Sequence, residues 1–155
     1  RDGREIVTEV IPVDPRDLFR GDYVILGYAF SRTNVPVPED IEKGDTIYVT
    51  LKETEPEKWE TVKAAAAYEA SPNPSEVVLK GIVDYVSRPM TDAQPTASVR
   101  YGIESYFVPE GTGRELENMV RDKKISAVLA VGDKGHVAIK ALVVDGKRVV
   151  VEPLL

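Results

Sequence analysis

Five residues able to carry charge or donate hydrogen bonds crowd one stretch of the chain: Glu104, Tyr106, Glu110, Arg114 and Glu117. Gly111 and Gly113 lie among them, and a backbone without side chains can approach a bound group closely. By ligand type, Glu104, Glu110 and Glu117 suit a hard cation, but their spacing matches no calcium loop. A helix start expected at Thr112 favours an anion. Against that, Thr112-Gly-Arg-Glu115 matches a capping box, in which the glutamate already engages the terminal amides. The favoured reading is an internal network in which Arg114 pairs with Glu104 or Glu110. A second group comprises Asp22, Tyr23 and Tyr28, which would line a ligand surface if exposed. The competing reading has Asp22 capping a turn while the tyrosines pack with their hydroxyls satisfied. Alternation sets Tyr23 on the face opposite Leu26 and Tyr28. These eight residues are the candidates for ligand or partner binding; none is assigned to catalysis or to a metal.

Nucleophilic chemistry has few carriers here. The chain holds no cysteine and one histidine, His136, so thiolate zinc sites and cysteine nucleophiles lack their residues and histidine-based chemistry has very little to work with. A serine activated by a desolvated lysine is the remaining option, with Ser31, Ser98 or Ser126 as nucleophile and Lys43, Lys80 or Lys124 as base, though no spacing joins such a pair. No cofactor is expected. The 155 residues carry 20 basic and 26 acidic side chains, a net charge of −6, which argues against a phosphate-coating surface and so against nucleic acid as partner. Arg20-Gly21-Asp22 spells an adhesion tripeptide, but its aspartate leads into a strand instead of standing at a loop tip.

The elements that must position these residues are mostly strands. With 43% hydrophobic and 30% charged residues, one β-rich domain over residues 1–155 is expected. Period and turn chemistry predict strands at Glu5–Ile11, Tyr23–Phe30, Thr46–Leu51, Glu76–Val86, Val99–Val108 and Ile125–Val131. The segment closing on Ala64–Tyr68 is read as a strand, and Gly81 as the site of a bulge or bend. Asp14 to Asp17 and Ser31 to Gly44 read as turn and loop. Asp145-Gly146 signals a type I′ hairpin between His136–Val144 and Lys147–Val151. One short helix is predicted near 112–122, with Leu116, Met119 and Val120 on one face. The sum is eight or nine short strands and one helix, a barrel or a sandwich. Gly21-Asp22 and Gly44-Asp45 sit in similar contexts, and Gly132-Asp133 offers a third instance; two ordinary turns are favoured over a duplicated half-barrel. Such turns recur in small β-barrels, including that of signal peptidases.

Gly21-Asp22-Tyr23-Val24-Ile25-Leu26-Gly27-Tyr28 resembles the signature of the GDYXXLXY protein family at every named position. The flanking Val13–Arg20 and the later Arg100–Glu117 also look like that family. The resemblance implies a bacterial protein with an N-terminal membrane segment and a domain outside the cytoplasm, encoded near multi-pass membrane proteins that would supply a partner. It implies no activity and no catalytic residue. The chain opens at Arg1, in keeping with a membrane segment lying outside this sequence. The expected function is therefore a noncatalytic partner- or ligand-binding module, with a Ser-Lys hydrolase of peptide or cell-envelope substrate as the alternative.

Overall fold

A computed structural model of the chain describes residues 3–11, 19–20, 23–120 and 124–150. Within them, twelve strands form three antiparallel sheets. In chain order these are β1 (Arg4–Glu9), β2 (Phe19–Arg20), β3 (Tyr23–Ile25), β4 (Val35–Pro36), β5 (Thr46–Glu55), β6 (Lys58–Ala65), β7 (Glu76–Ser87), β8 (Thr96–Arg100), β9 (Ser105–Phe107), β10 (Ile125–Val131), β11 (Val137–Val144) and β12 (Lys147–Val150). A helical turn α1 (Ala29–Arg32) follows β3, α2 (Thr112–Val120) follows β9, and a 3₁₀ turn covers Asp133–Gly135. The expectation of a mainly β protein with a short helix in this region holds.

The largest sheet runs β4-β8-β7-β5-β6, and its edge strands β4 and β6 approach each other, so it curls almost into a barrel. Alternation explains its inner face: Ile47, Val49 and Leu51 on β5 are fully buried, as is Leu79 on β7. The second sheet runs β1-β10-β11-β12, which pairs the start of the chain with its C-terminal third. Its central strand β10 is short, apolar and buried along most of its length. The third sheet, β2-β3-β9, joins the GDY segment to the later block. One apolar cluster draws on all of these, including Ile6, Val24, Leu51, Leu79, Leu129 and Leu142. Burying one such side chain contributes about 1.5–3 kcal/mol, so this cluster outweighs any surface ion pair.

Polar contacts fix how the two larger sheets meet. The Trp59 indole on β6 donates to the Val7 carbonyl on β1 at 2.9 Å, and the Glu9 amide donates to the Glu57 carbonyl at 2.9 Å. The Arg4 guanidinium donates to the carbonyls of Glu76 and Pro74 at 2.7 and 2.8 Å. On the open face of the second sheet, Glu5 faces Lys140 at 2.8 Å and Arg148 at 3.4 Å; hydrogen bonds from both hold its carboxyl below the ordinary carboxylate range.

Several boundaries differ from the sequence expectation for physical reasons. The apolar run Tyr23–Phe30 is a strand only through Ile25; it then turns through Leu26–Tyr28 into α1. Its apolarity reflects core burial, not ladder pairing: Leu26 and Tyr28 are buried without belonging to a strand. The stretch Val99–Val108 divides between β8 and β9, which belong to different sheets. The bulge in β7 falls between Val83 and Tyr85, leaving Asp84 as the extra residue. At Gly81 the reason is close packing instead: a Cβ there would overlap the Val99 side chain. The expected Asp145-Gly146 turn is present, with φ of 52° and 83°, the left-handed pair of a type I′ turn. The turn expected at Asp14–Asp17 lies outside the described residues. Among the described residues, no helix is long and apolar enough to cross a membrane.

Gly135 and Gly146 separate two roles of glycine and give a test. Both have positive φ, but a Cβ on Gly135 would sit 2.8 Å from the Val78 carbonyl oxygen, whereas at Gly146 nothing lies within 4 Å. Gly146→Ala should cost ~1 kcal/mol, the left-handed penalty alone. Gly135→Ala should cost ~3 kcal/mol, because the turn must also lift off β7. Urea denaturation of both variants measures the difference, and equal losses would contradict this packing.

Candidate functional site

The two blocks read from the sequence meet at the junction of β3, α1 and the loop between β8 and β9. Backbone bonds set the meeting: the Leu26 amide donates to the Glu104 carbonyl at 2.7 Å, and the Ile11 amide donates to the Gly27 carbonyl at 2.9 Å. The pairing of β3 with β9 continues it, with Tyr23 opposite Phe107, Val24 opposite Tyr106 and Ile25 opposite Ser105. Val24, Leu26 and Tyr28 are all turned into the core. The Tyr28 hydroxyl donates to the Ile103 carbonyl at 2.8 Å, which satisfies a phenol that is otherwise sealed from water. Its ring stacks on Phe30 at 5.2 Å, and Phe30 meets Tyr101 edge-on at 5.5 Å. Burial pushes the Tyr101 hydroxyl well above the ordinary tyrosine range, and the nearby Glu104 charge adds to this.

Glu104 organises the loop. One carboxylate oxygen accepts the Tyr101 amide at 2.9 Å and the Ser31 hydroxyl at 3.2 Å; the other accepts the Gly102 amide at 3.0 Å. The expected pairing with Arg114 is absent: Arg114 is exposed and makes no ion pair among the described residues. The reason is local, since three donors within the loop and on α1 already occupy the carboxylate. Glu110 is exposed at the start of the turn into α2, and Glu117 is partly covered on α2. Asp22 lies outside the described residues, and for Tyr23 and Tyr106 only the backbone pairing is described. Thus Tyr28 and Glu104 both serve the fold, through separate hydrogen bonds, while Glu110 and Arg114 stand at the surface. Among the described residues, no three metal-ligating side chains gather.

The serines considered as nucleophiles point elsewhere. Ser31 donates to Glu104, and the buried Ser126 donates to Glu57. Lys124 stands 3.8 Å from the same Glu57 oxygen and is largely exposed, so a carboxylate lies where a dyad would need the amine itself. Ser98 pairs with Tyr85 in the ladder of β7 and β8. Sequence reasoning missed Ile25 and Phe107, which are 37% and 55% exposed on the small sheet. Alternation against buried Val24 and Val108 was the available signal for their outward aspect; their pairing across eighty residues had none.

Fold and site together define a mainly β protein whose near-closed sheet supports a small motif-bearing sheet at one side. The family model described as GDYXXLXY protein matches residues 1–142, and the chain belongs to that family. No curated protein and no solved structure matches it.

Two consequences can be measured. Tyr28→Phe should lose roughly 1–2 kcal/mol by stranding the Ile103 carbonyl, and Glu104→Gln should lose about as much, because an amide NH₂ would face a backbone donor. Chemical denaturation checks both, and a neutral Glu104→Gln would contradict the three-donor arrangement. Tyr101 also gives a pH test. Its folded pKa is raised above the usual 10.0, so its contribution is complete below pH 10 and declines as pH rises above it. Denaturation midpoints should fall above pH 10, and Tyr101→Phe should flatten that fall; an unchanged slope would show that Tyr101 is not sealed from water.

Proposed function

We propose that this chain is the extracytoplasmic part of a membrane-anchored bacterial protein and serves there as a noncatalytic docking module. The observation that carries the reading is a division of labour at the motif. Leu26, Tyr28 and Glu104 are committed to the fold, while Ile25 and Phe107 remain exposed on the same small sheet. An aromatic anchor with charged residues nearby in the chain, here Glu110 and Arg114, suits the composition of an interface centre and rim. The partner in this reading is a multi-pass membrane protein encoded nearby, as the family resemblance suggests. Location and anchoring rest on that resemblance.

The alternative, a Ser-Lys hydrolase, has less support, because Ser31 and Ser126 donate to carboxylates. The docking reading is tested by co-expressing the full-length protein with the neighbouring membrane protein and purifying from detergent extract. The wild type should retain the partner, and Ile25→Asp with Phe107→Asp should reduce its recovery at least tenfold while the variant still unfolds in one cooperative urea transition. Equal recovery by the variant would reject this surface. Protease added to spheroplasts should degrade the domain; protection in intact spheroplasts would reject the placement outside the cytoplasm.

A further inference from the structure

Beside the second family block, the outer face of β7 and β8 carries a cavity of about 360 Å³ whose charged lining residues are all basic. Ile82 pairs with Arg100, so these two share one sheet face, and Lys80, two residues before Ile82, shares it too. The opposite wall is His136–Val137, held close because Gly135 lets the preceding turn lie directly on the backbone of Val78 to Lys80. Lys80, Arg100 and His136 thus reach one concavity from two strands and a turn.

These groups are available. The side chains of Lys80 and His136 have no hydrogen-bond or ion-pair partner among the described residues. Arg100 gives only its Nε to Asp84, at 3.1 Å, and its two terminal nitrogens have no partner among the described residues. The arrangement is not a general property of this surface. The concavity at Tyr48 and Lys63 includes Glu69 and Glu76, and that beside Arg88 includes Glu39 and Asp92. In a chain of net charge −6, a cavity lined by basic and no acidic side chains is a local exception.

We propose that this cavity binds a phosphomonoester group. Converging cationic donors suit a tetrahedral dianion with several acceptor oxygens better than a planar monoanion, and the guanidinium supplies a forked pair of donors. Ile82 and Val137 offer apolar surface to whatever carries the phosphate. Both a soluble phosphate and a lipid headgroup present this chemistry. The inference is independent of the docking surface at Ile25 and Phe107.

The test uses the 155-residue chain. Inorganic phosphate is titrated while amide and imidazole NMR shifts are followed, and flotation is measured with phosphatidylcholine vesicles with and without phosphatidic acid. Saturable shifts at Ile82, Gly102, Val137 and the His136 ring are expected. Lys80→Gln and Arg100→Gln should each weaken binding at least tenfold, with Lys63→Gln unchanged as control. Co-flotation that needs phosphatidic acid and is lost in Lys80→Gln would assign the group to lipid; soluble binding without flotation would assign it to a free phosphate. Absence of saturable shifts and of such flotation, or binding equally strong in Lys80→Gln and Arg100→Gln, would overturn the proposal and leave an adventitious ion only.

Discussion

The carboxylate of Glu104 is the constraint on which the arrangement of the motif depends. Between β8 and β9 the chain leaves one sheet and enters another, and the amides of Tyr101 and Gly102 lose ladder partners there. Backbone donors in a partly buried loop must be satisfied, and one side chain does this for two of them. The same residue then accepts the Leu26 amide through its carbonyl and the Ser31 hydroxyl through its carboxylate. Two segments some eighty residues apart are joined through one glutamate, with Tyr28 closing the junction by its bond to Ile103.

This junction turns one side of a short motif into the core and leaves the other side exposed. Residues facing inward at Val24, Leu26 and Tyr28 carry the core and its aromatic contacts. Ile25 and Phe107, on the outward side, stay 37% and 55% exposed. The family signature is therefore first a statement about folding, and a change in its buried positions acts through the folded population before it acts on any partner. The basic cavity on the face of β7 and β8 borders this junction, since Tyr101 and Gly102, whose amides Glu104 accepts, also line it.

What was legible in the sequence follows from which signals are local. Ile125–Val131 and the Asp145-Gly146 hairpin appear as read, because a buried apolar run and a left-handed dipeptide declare themselves within a few residues. The core of β5 was visible in its alternation, though the strand continues to Glu55 as one arm of a hairpin with β6. The run Tyr23–Phe30 misled because core burial and strand pairing leave the same apolar trace. Arg114 misled because charge alone does not reveal that loop amides nearer in the chain satisfy Glu104 first. The inward placement of Tyr28 followed the packing reading, but its acceptor at Ile103 lies beyond any local pattern. The convergence of Lys80, Arg100 and His136 was equally hidden, since it arises only when the turn before β11 settles on β7.

The two blocks form one unit of structure held at Glu104. Native-state hydrogen exchange at the amides of Leu26, Tyr101 and Gly102 tests this most directly, since each donates to Glu104. If the junction is integral to the fold, all three exchange with the free energy of the slowest core amides on β5 and β10, that of global unfolding. Exchange of the three through a local opening several kcal/mol below that level would show that the junction opens on its own and does not hold the two blocks as one unit.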